Sequence, residues 1–143
     1  MQLHTMISLG LAVGTTVFAV KSGDRAARRF GVSFLASWVA SLVVSKLHLP
    51  GGAGLAIFCI DSATLVYFAW ASLDARRIWT AVATAFILLI VASHVATAID
   101  FRVTLDTFRL SMALWSYGIL ACIGFGAWSS RRDQARTPVL ATR

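Results

Sequence analysis

The chain has 143 residues, of which 58% are hydrophobic and only 13% are charged, and its 13 lysines and arginines give a net charge of +7. A soluble domain carries roughly 25% charged residues, so this composition excludes an ordinary water-soluble globule, while the many Val, Ile, Leu and Phe residues exclude a disordered chain. We therefore expect an integral membrane protein.

Apolar segments follow one another along the chain. A helix that crosses a bilayer needs about 20 mostly apolar residues, with a range near 17–25. Five stretches meet this requirement: residues 3–20, 30–49, 53–73, 78–99 and 108–128. The connectors are too short for a soluble catalytic domain, and residues 129–143 form a basic tail. The sequence therefore predicts one domain over residues 1–128, an all-α bundle of five transmembrane helices.

The basic residues are divided unequally between the two sides of this bundle. Lys46, Arg102 and Arg109 fall on one side, and the other side holds Lys21, Arg25, Arg28, Arg29, Arg76, Arg77, Arg131, Arg132, Arg136 and Arg143. Cytoplasmic loops carry the excess of Lys and Arg, so the N-terminus is expected outside and the C-terminus in the cytoplasm, beside anionic lipids. Trp70, Trp79 and Trp128 lie near the basic ends of their spans, where an interfacial aromatic belt is expected.

Lys46, Asp61 and His94 are ionisable residues inside the spans, where such side chains are costly and often functional. At about 1.5 Å per residue, Lys46 lies ~4.5 Å, Asp61 ~12 Å and His94 ~7.5 Å from the outer helix ends. Because a four-residue connector makes spans three and four antiparallel neighbours, Asp61 and His94 are expected to meet. Trp115 and Tyr117 of span five lie in the same layer, which predicts a buried polar cluster of these five residues. A structural hydrogen bond and a site for a ligand or proton both remain open, and Lys46 can instead extend its ammonium to the surface.

Small residues recur at helical spacing in several spans, including spans two and five. Ser33, Ser37, Ser41 and Ser45 form a ridge on span two, and Gly118, Cys122 and Gly126 follow the same spacing on span five. Small residues let membrane helices approach closely, and hydroxyls can bond across the gap. These ridges predict either close packing inside the bundle or a contact between copies.

Four features between residues 59 and 128 resemble an uncharacterised family of small polytopic bacterial inner-membrane proteins. They are Asp61 early in one span, the basic loop Ala-Arg-Arg-Ile-Trp at residues 75–79, His94 late in the next span, and Trp-Ser-Tyr at residues 115–117. The resemblance implies a multi-pass protein of the bacterial inner membrane. It also gives weight to these four positions, and it implies no activity.

Three functions are compatible with this sequence. The first is a non-enzymatic membrane subunit or accessory component, which would assemble into an oligomer or a larger complex. The alternative is a small-molecule, quinone or proton-handling site in the outer half, built on Asp61 and His94. The third is a holin-like or pore-forming protein.

Cofactors and soluble ligands find little support in the sequence. No His or Cys pair has zinc-ligand spacing, so no metal is expected, and a haem held by His48 and His94 is the weaker alternative to a cofactor-free protein. The Gly-rich phosphate-binding motifs of nucleotide enzymes are absent, so no nucleotide is expected. Nucleic acid is not expected either, because the arginines flank the membrane surface, where anionic lipids are nearer.

Overall fold

The computed structural model describes residues 2–21, 24–47, 52–100, 102 and 104–140, with side-chain surroundings between residues 7 and 134. Within these residues the chain forms five helices: α1 (Gln2–Lys21), α2 (Arg25–Lys46), α3 (Gly54–Ala75), α4 (Ile78–Ile99) and α5 (Leu105–Leu140). Four of them, α2 to α5, are long and apolar enough to cross a membrane, and the described part of α1 adds a shorter apolar segment, Ile7–Lys21. The protein is therefore an all-α helical bundle of the multi-pass membrane type.

The start of α2 differs from the predicted span. The helix begins at Arg25, five residues before the apolar run, and Asp24 caps it by accepting a hydrogen bond from the backbone N–H of Ala26 at 3.2 Å. Aspartate is among the best N-cap residues, and Arg and Ala are strong helix formers. The basic connector therefore belongs largely to the helix, because apolarity marks where a helix meets lipid and not where it begins.

Helix α5 is longer than the predicted fifth span. It runs for 36 residues to Leu140, so residues 129–140, predicted as a tail, continue the helix. Ser130 in this extension is only 4% exposed, which shows that the bundle continues past the apolar run.

Two glycines set the distance between α4 and α5. A Cβ atom at Gly126 would lie 2.5 Å from the Trp79 ring, and one at Gly118 would lie 2.7 Å from the Phe86 ring. The missing side chains let the two aromatic rings lie against the backbone of α5, as small residues do between membrane helices. Trp79 is only 7% exposed, so its predicted place in an interfacial belt is wrong, because Gly126 provides a groove that receives the ring.

The tightly packed core occupies one half of the bundle. The Phe30 ring contacts Phe68 and Trp79, with centroid distances of 4.4 and 5.4 Å. The fully buried residues of the described chain extend from the middle of the helices toward one end of the bundle. This end contains the start of α2, the start of α4 and the later part of α5. We call this half the basic end and the opposite half the cavity end.

A polar triad closes the basic end. Asp24 Oδ2 accepts hydrogen bonds from Arg77 Nη1 at 3.1 Å and from Ser130 Oγ at 2.8 Å, and Arg77 Nη1 also donates to Ser130 Oγ at 2.8 Å. A second ion pair joins Arg29 Nη1 to Asp74 Oδ2 at 2.7 Å. The first connector, the third connector and the extension of α5 therefore meet at the same end of the bundle.

Candidate functional site

Asp61 of α3 and His94 of α4 are in direct contact. His94 Nε2 lies 3.0 Å from Asp61 Oδ2, and each side chain is 13% exposed. When Asp61 is ionised, its carboxylate can only accept, and the imidazole N–H is then the donor of this bond. The two depths in the sequence predict proximity, and the structure places the side chains within direct hydrogen-bonding distance.

Two phenylalanines hold the His94 ring from different helices. Phe58 of α3 and Phe108 of α5 both meet it edge-on, with centroid distances of 6.0 and 5.2 Å. Aromatic rings prefer such edge-to-face arrangements. The imidazole is thus fixed in orientation, with its Nε2 directed at Asp61.

A cavity of about 1010 Å³ adjoins this pair and receives lining residues from all five helices. It extends from Ala12 and Leu120, near the middle of the bundle, to Gly54 and Leu105, where helices begin at the cavity end. Most lining side chains are apolar, and the polar ones are Ser8, Ser37, Ser41, Ser45, Asp61, His94, Thr97, Arg109, Ser116 and Tyr117. Small-molecule sites have this character: they are concave, mostly apolar and about 300–1,000 Å³ in volume, with a few polar groups that fix orientation.

The serine ridge of α2 lies mainly on this cavity. Ser37, Ser41 and Ser45 are lining residues, whereas Ser33 is not and donates to the backbone carbonyl of Arg29 at 2.7 Å. The Ser41 hydroxyl is buried without a hydrogen-bond partner among the residues that the structure describes. The sequence predicts close packing or a contact between copies for this ridge, and in the bundle Ser37, Ser41 and Ser45 border the cavity.

Tyr117 and Trp115, also predicted for the polar cluster, occupy different surroundings. Tyr117 lines the cavity, and its hydroxyl lies 2.9 Å from Ser8 Oγ, which joins α5 to α1. Trp115 does not line the cavity and packs against Phe86, with a centroid distance of 6.2 Å. Its indole N–H is buried and has no hydrogen-bond partner within the described ranges. Tyr117 therefore shares the space beside Asp61, and Trp115 does not.

Lys46 lies apart from the pair. It is the last residue of α2, its side chain is exposed, and it forms no ion pair with the residues that the structure describes. A long lysine side chain at a helix end can place its ammonium in water while its stem covers apolar surface. The structure therefore brings Asp61, His94 and Tyr117 to one cavity and leaves Lys46 outside it.

The haem alternative depends partly on His48, which lies outside the described residues. His94 is described, and its Nε2 is engaged by Asp61. A haem axial ligand presents a ring nitrogen to the metal. With Nε2 directed at a carboxylate, only the Nδ1 atom of His94 would remain for such a bond.

Four polar residues of the cavity, Ser8, Thr97, Arg109 and Ser116, are not among the site residues that the sequence predicts. The sequence assigns Arg109 only to the basic residues that set topology and Ser8 only to an apolar span, yet both are lining residues. Arg109 had a visible signal, since it follows Phe108 directly and stands inside the predicted fifth span. Ser8 had none, because only the packing of α1 against α5 brings it to Tyr117.

Comparison with known proteins gives no relative from which a function could be transferred. No protein-family model, curated protein or solved structure matches this chain.

Proposed function

We propose that this protein is a non-enzymatic, multi-pass membrane protein that binds an amphipathic small molecule in the cavity beside Asp61 and His94. The observation that carries the proposal is a hydrogen-bonded carboxylate–imidazole pair that lines a mostly apolar cavity of about 1010 Å³. The pair would receive a polar head group, and the aliphatic and aromatic walls would receive an apolar body.

The size of the cavity favours a ligand over a purely structural pair. The cavity is a cleft that opens at the cavity end, where its lining residues Leu55, Ile99 and Leu105 are exposed. Ligand sites are typically such mostly apolar clefts with a few polar groups. A structural hydrogen bond between α3 and α4 needs no space beside it. Ionisable residues inside membrane segments usually face a cavity or the bundle interior and often mark a binding or transport pathway.

The positions of the α2 serines reduce the support for the hypothesis of an accessory subunit. That hypothesis relied on the ridge of α2 as a docking surface, and Ser37, Ser41 and Ser45 border the cavity instead. Hydroxyls on a cavity wall can hydrogen-bond a bound molecule. Assembly into an oligomer or a larger complex stays a prediction. A holin-like activity also stays a prediction, and no observation of the described residues supports it.

We further infer a location in the bacterial inner membrane, with the N-terminus outside and the C-terminus in the cytoplasm. Two observations support this orientation: the ten basic residues assigned to one side, and the triad of Asp24, Arg77 and Ser130, which gathers the corresponding connectors at one end. The resemblance of residues 59–128 to small inner-membrane proteins agrees with this location. The cavity end would then face the outside.

Extraction of bound molecules from the purified protein tests the binding proposal. The wild-type protein, purified in a nonionic detergent, is expected to release a stoichiometric amphiphile into organic solvent, identified by mass spectrometry. Ser37→Phe, which fills part of the cavity, should remove it. Ser33→Phe is the matched control, because Ser33 lies one turn away on the same helix and does not line the cavity. Equal recovery from both variants, or none from the wild type, would contradict the proposal.

A further inference from the structure

Arg109 stands at the open part of the cavity, in the same layer as His94. It follows Phe108, whose ring contacts the His94 ring at 5.2 Å, and it is itself a lining residue. At about 1.5 Å per residue, Arg109 is ~6 Å from the start of α5 and His94 is ~7.5 Å from the end of α4. A molecule entering from the cavity end would therefore meet both side chains together.

Arg109 is exposed on the cavity wall, and its charge has no ion-pair partner among the residues that the structure describes. The Asp61 carboxylate is already engaged by His94, whereas Arg109 forms no ion pair with any residue that the structure describes. An arginine side chain remains protonated in proteins. Arg109 is therefore the one lining side chain with a fixed and unpaired charge in the described part of the cavity wall.

We propose that the head group of the bound amphiphile is anionic and is held by Arg109. The guanidinium presents a planar set of N–H donors that matches carboxylate and phosphate oxygens in bidentate geometry. The hydrocarbon part would extend past Met112 toward Leu120, along the apolar wall at the inner end of the cavity. This inference rests on the proposed function and adds the chemical class of the ligand.

Three probes with the same chain and different head groups test this inference. Dodecanoate, dodecanol and dodecyltrimethylammonium are added to the ligand-stripped protein in a nonionic detergent, and the thermal unfolding midpoint is followed as each is titrated. Dodecanoate should raise the midpoint more than dodecanol does, and the ammonium probe should be the weakest. Arg109→Gln should weaken the dodecanoate affinity about tenfold or more, as expected for loss of a charge-assisted contact, and leave the dodecanol response unchanged.

Arg102→Gln is the matched control, because Arg102 is an exposed arginine at the cavity end that does not line the cavity. It should keep the full preference for dodecanoate. A midpoint increase with phosphatidylglycerol that also requires Arg109 would assign the anionic head group to a membrane phospholipid.

Two results would overturn the inference, and they differ in what else they affect. If dodecanol or the ammonium probe raises the midpoint as much as dodecanoate, or if Arg109→Gln keeps the preference, only the anionic head group is refuted. If no probe and no phospholipid changes the midpoint, the proposed binding function fails with it.

Discussion

His94 Nε2 and Asp61 Oδ2 lie 3.0 Å apart, each on a side chain that is 13% exposed, and the contact joins α4 to α3 on the wall of the cavity. An apolar surrounding makes a hydrogen bond electrostatically stronger, and it equally raises the cost of leaving either partner alone. Loss of either partner should therefore destabilise the bundle, whether or not the pair also binds a ligand.

The first prediction concerns the coupling between these two residues. Asp61→Ala and His94→Ala should each lower the free energy of unfolding, because each leaves a polar group without its partner. The double variant should lose less than the two single variants together, by about 0.5–3 kcal/mol, as is usual for residues in contact. Denaturant titration in detergent micelles measures this. Asp106→Ala, which removes an exposed carboxylate from α5, should be additive with His94→Ala.

The second prediction concerns the glycines of α5. Gly126→Ala should destabilise the protein by about 1–3 kcal/mol, because its Cβ would lie 2.5 Å from the Trp79 ring and overpack the α4–α5 interface. Gly124→Ala is the control on the same helix, since its Cβ would lie 4.0 Å from the nearest atom, in the Thr15 side chain. There the better helix propensity of alanine should leave the stability equal or raise it by up to about 1 kcal/mol. Equal losses at both positions would show that Trp79 does not pack as described.

The sequence predicts the helices better than the spaces between them. Helix α4 runs over the same residues, 78–99, as the predicted fourth span, because a mostly apolar run extends between Arg77 and Asp100. The proximity of Asp61 and His94 also follows from sequence, since a four-residue connector and helical rise bring the two residues to similar depth, and the structure adds the direct hydrogen bond. The periodicity of a helix and the depth of a residue along it can both be read from position in the sequence.

The cavity could not be predicted in the same way. Its existence depends on packing that involves all five helices, because each of them contributes lining residues. The burial of Trp79 could not be predicted either, because a tryptophan near a helix end is typical of both an interfacial and a buried position. Only the folded structure shows that Gly126 lies opposite Trp79 and leaves room for its ring. Similarly, Ser37 and Ser41 mark a small-residue face of α2, and only the assembled bundle shows what that face meets.

The third prediction contrasts two buried hydroxyls. Ser41 Oγ is buried without a partner among the described residues, whereas Thr16 Oγ1 donates to the carbonyl of Gly31 at 3.1 Å. Thr16→Val should cost about 0.5–1.5 kcal/mol, because it removes a hydrogen bond between α1 and α2. Ser41→Ala should raise the unfolding free energy of the ligand-stripped protein by about 1 kcal/mol, because it removes an unsatisfied group. The prediction fails if Ser41→Ala is the more destabilising of the two.

The fourth prediction concerns membrane orientation. A fluorescent protein that matures in the cytoplasm should be bright when fused after Arg143, and alkaline phosphatase fused at the same position should be inactive. The reason is the excess of arginine and lysine on this side, ten residues against three. Fusions in the connector between α2 and α3 should give the opposite pair of results. An active phosphatase at the C-terminus would reverse the proposed orientation and place the cavity end in the cytoplasm.

The fifth prediction separates the two carboxylates of the basic end. Asp24 is 9% exposed, caps α2 and accepts hydrogen bonds from Arg77 and Ser130, whereas Asp74 is 60% exposed and pairs only with Arg29 in the described chain. Loss of an N-cap alone costs about 0.5–2 kcal/mol, and loss of a buried partner adds to it. An exposed ion pair is worth about 0–1 kcal/mol. Asp24→Ala should therefore lower the unfolding free energy by about 1–3 kcal/mol more than Asp74→Ala does.

The salt dependence of stability tests this difference between Asp24 and Asp74. Added salt should reduce the contribution of the exposed Arg29–Asp74 pair, because exposed charges are readily screened, and it should leave most of the Asp24 effect in place. Asp24→Asn distinguishes the two roles of this residue, since asparagine also caps helices well but carries no charge to pair with Arg77. If Asp24→Asn behaves like the wild type, the cap accounts for the effect. If Asp24→Ala is no worse than Asp74→Ala, the triad does not hold α2, α4 and α5 together.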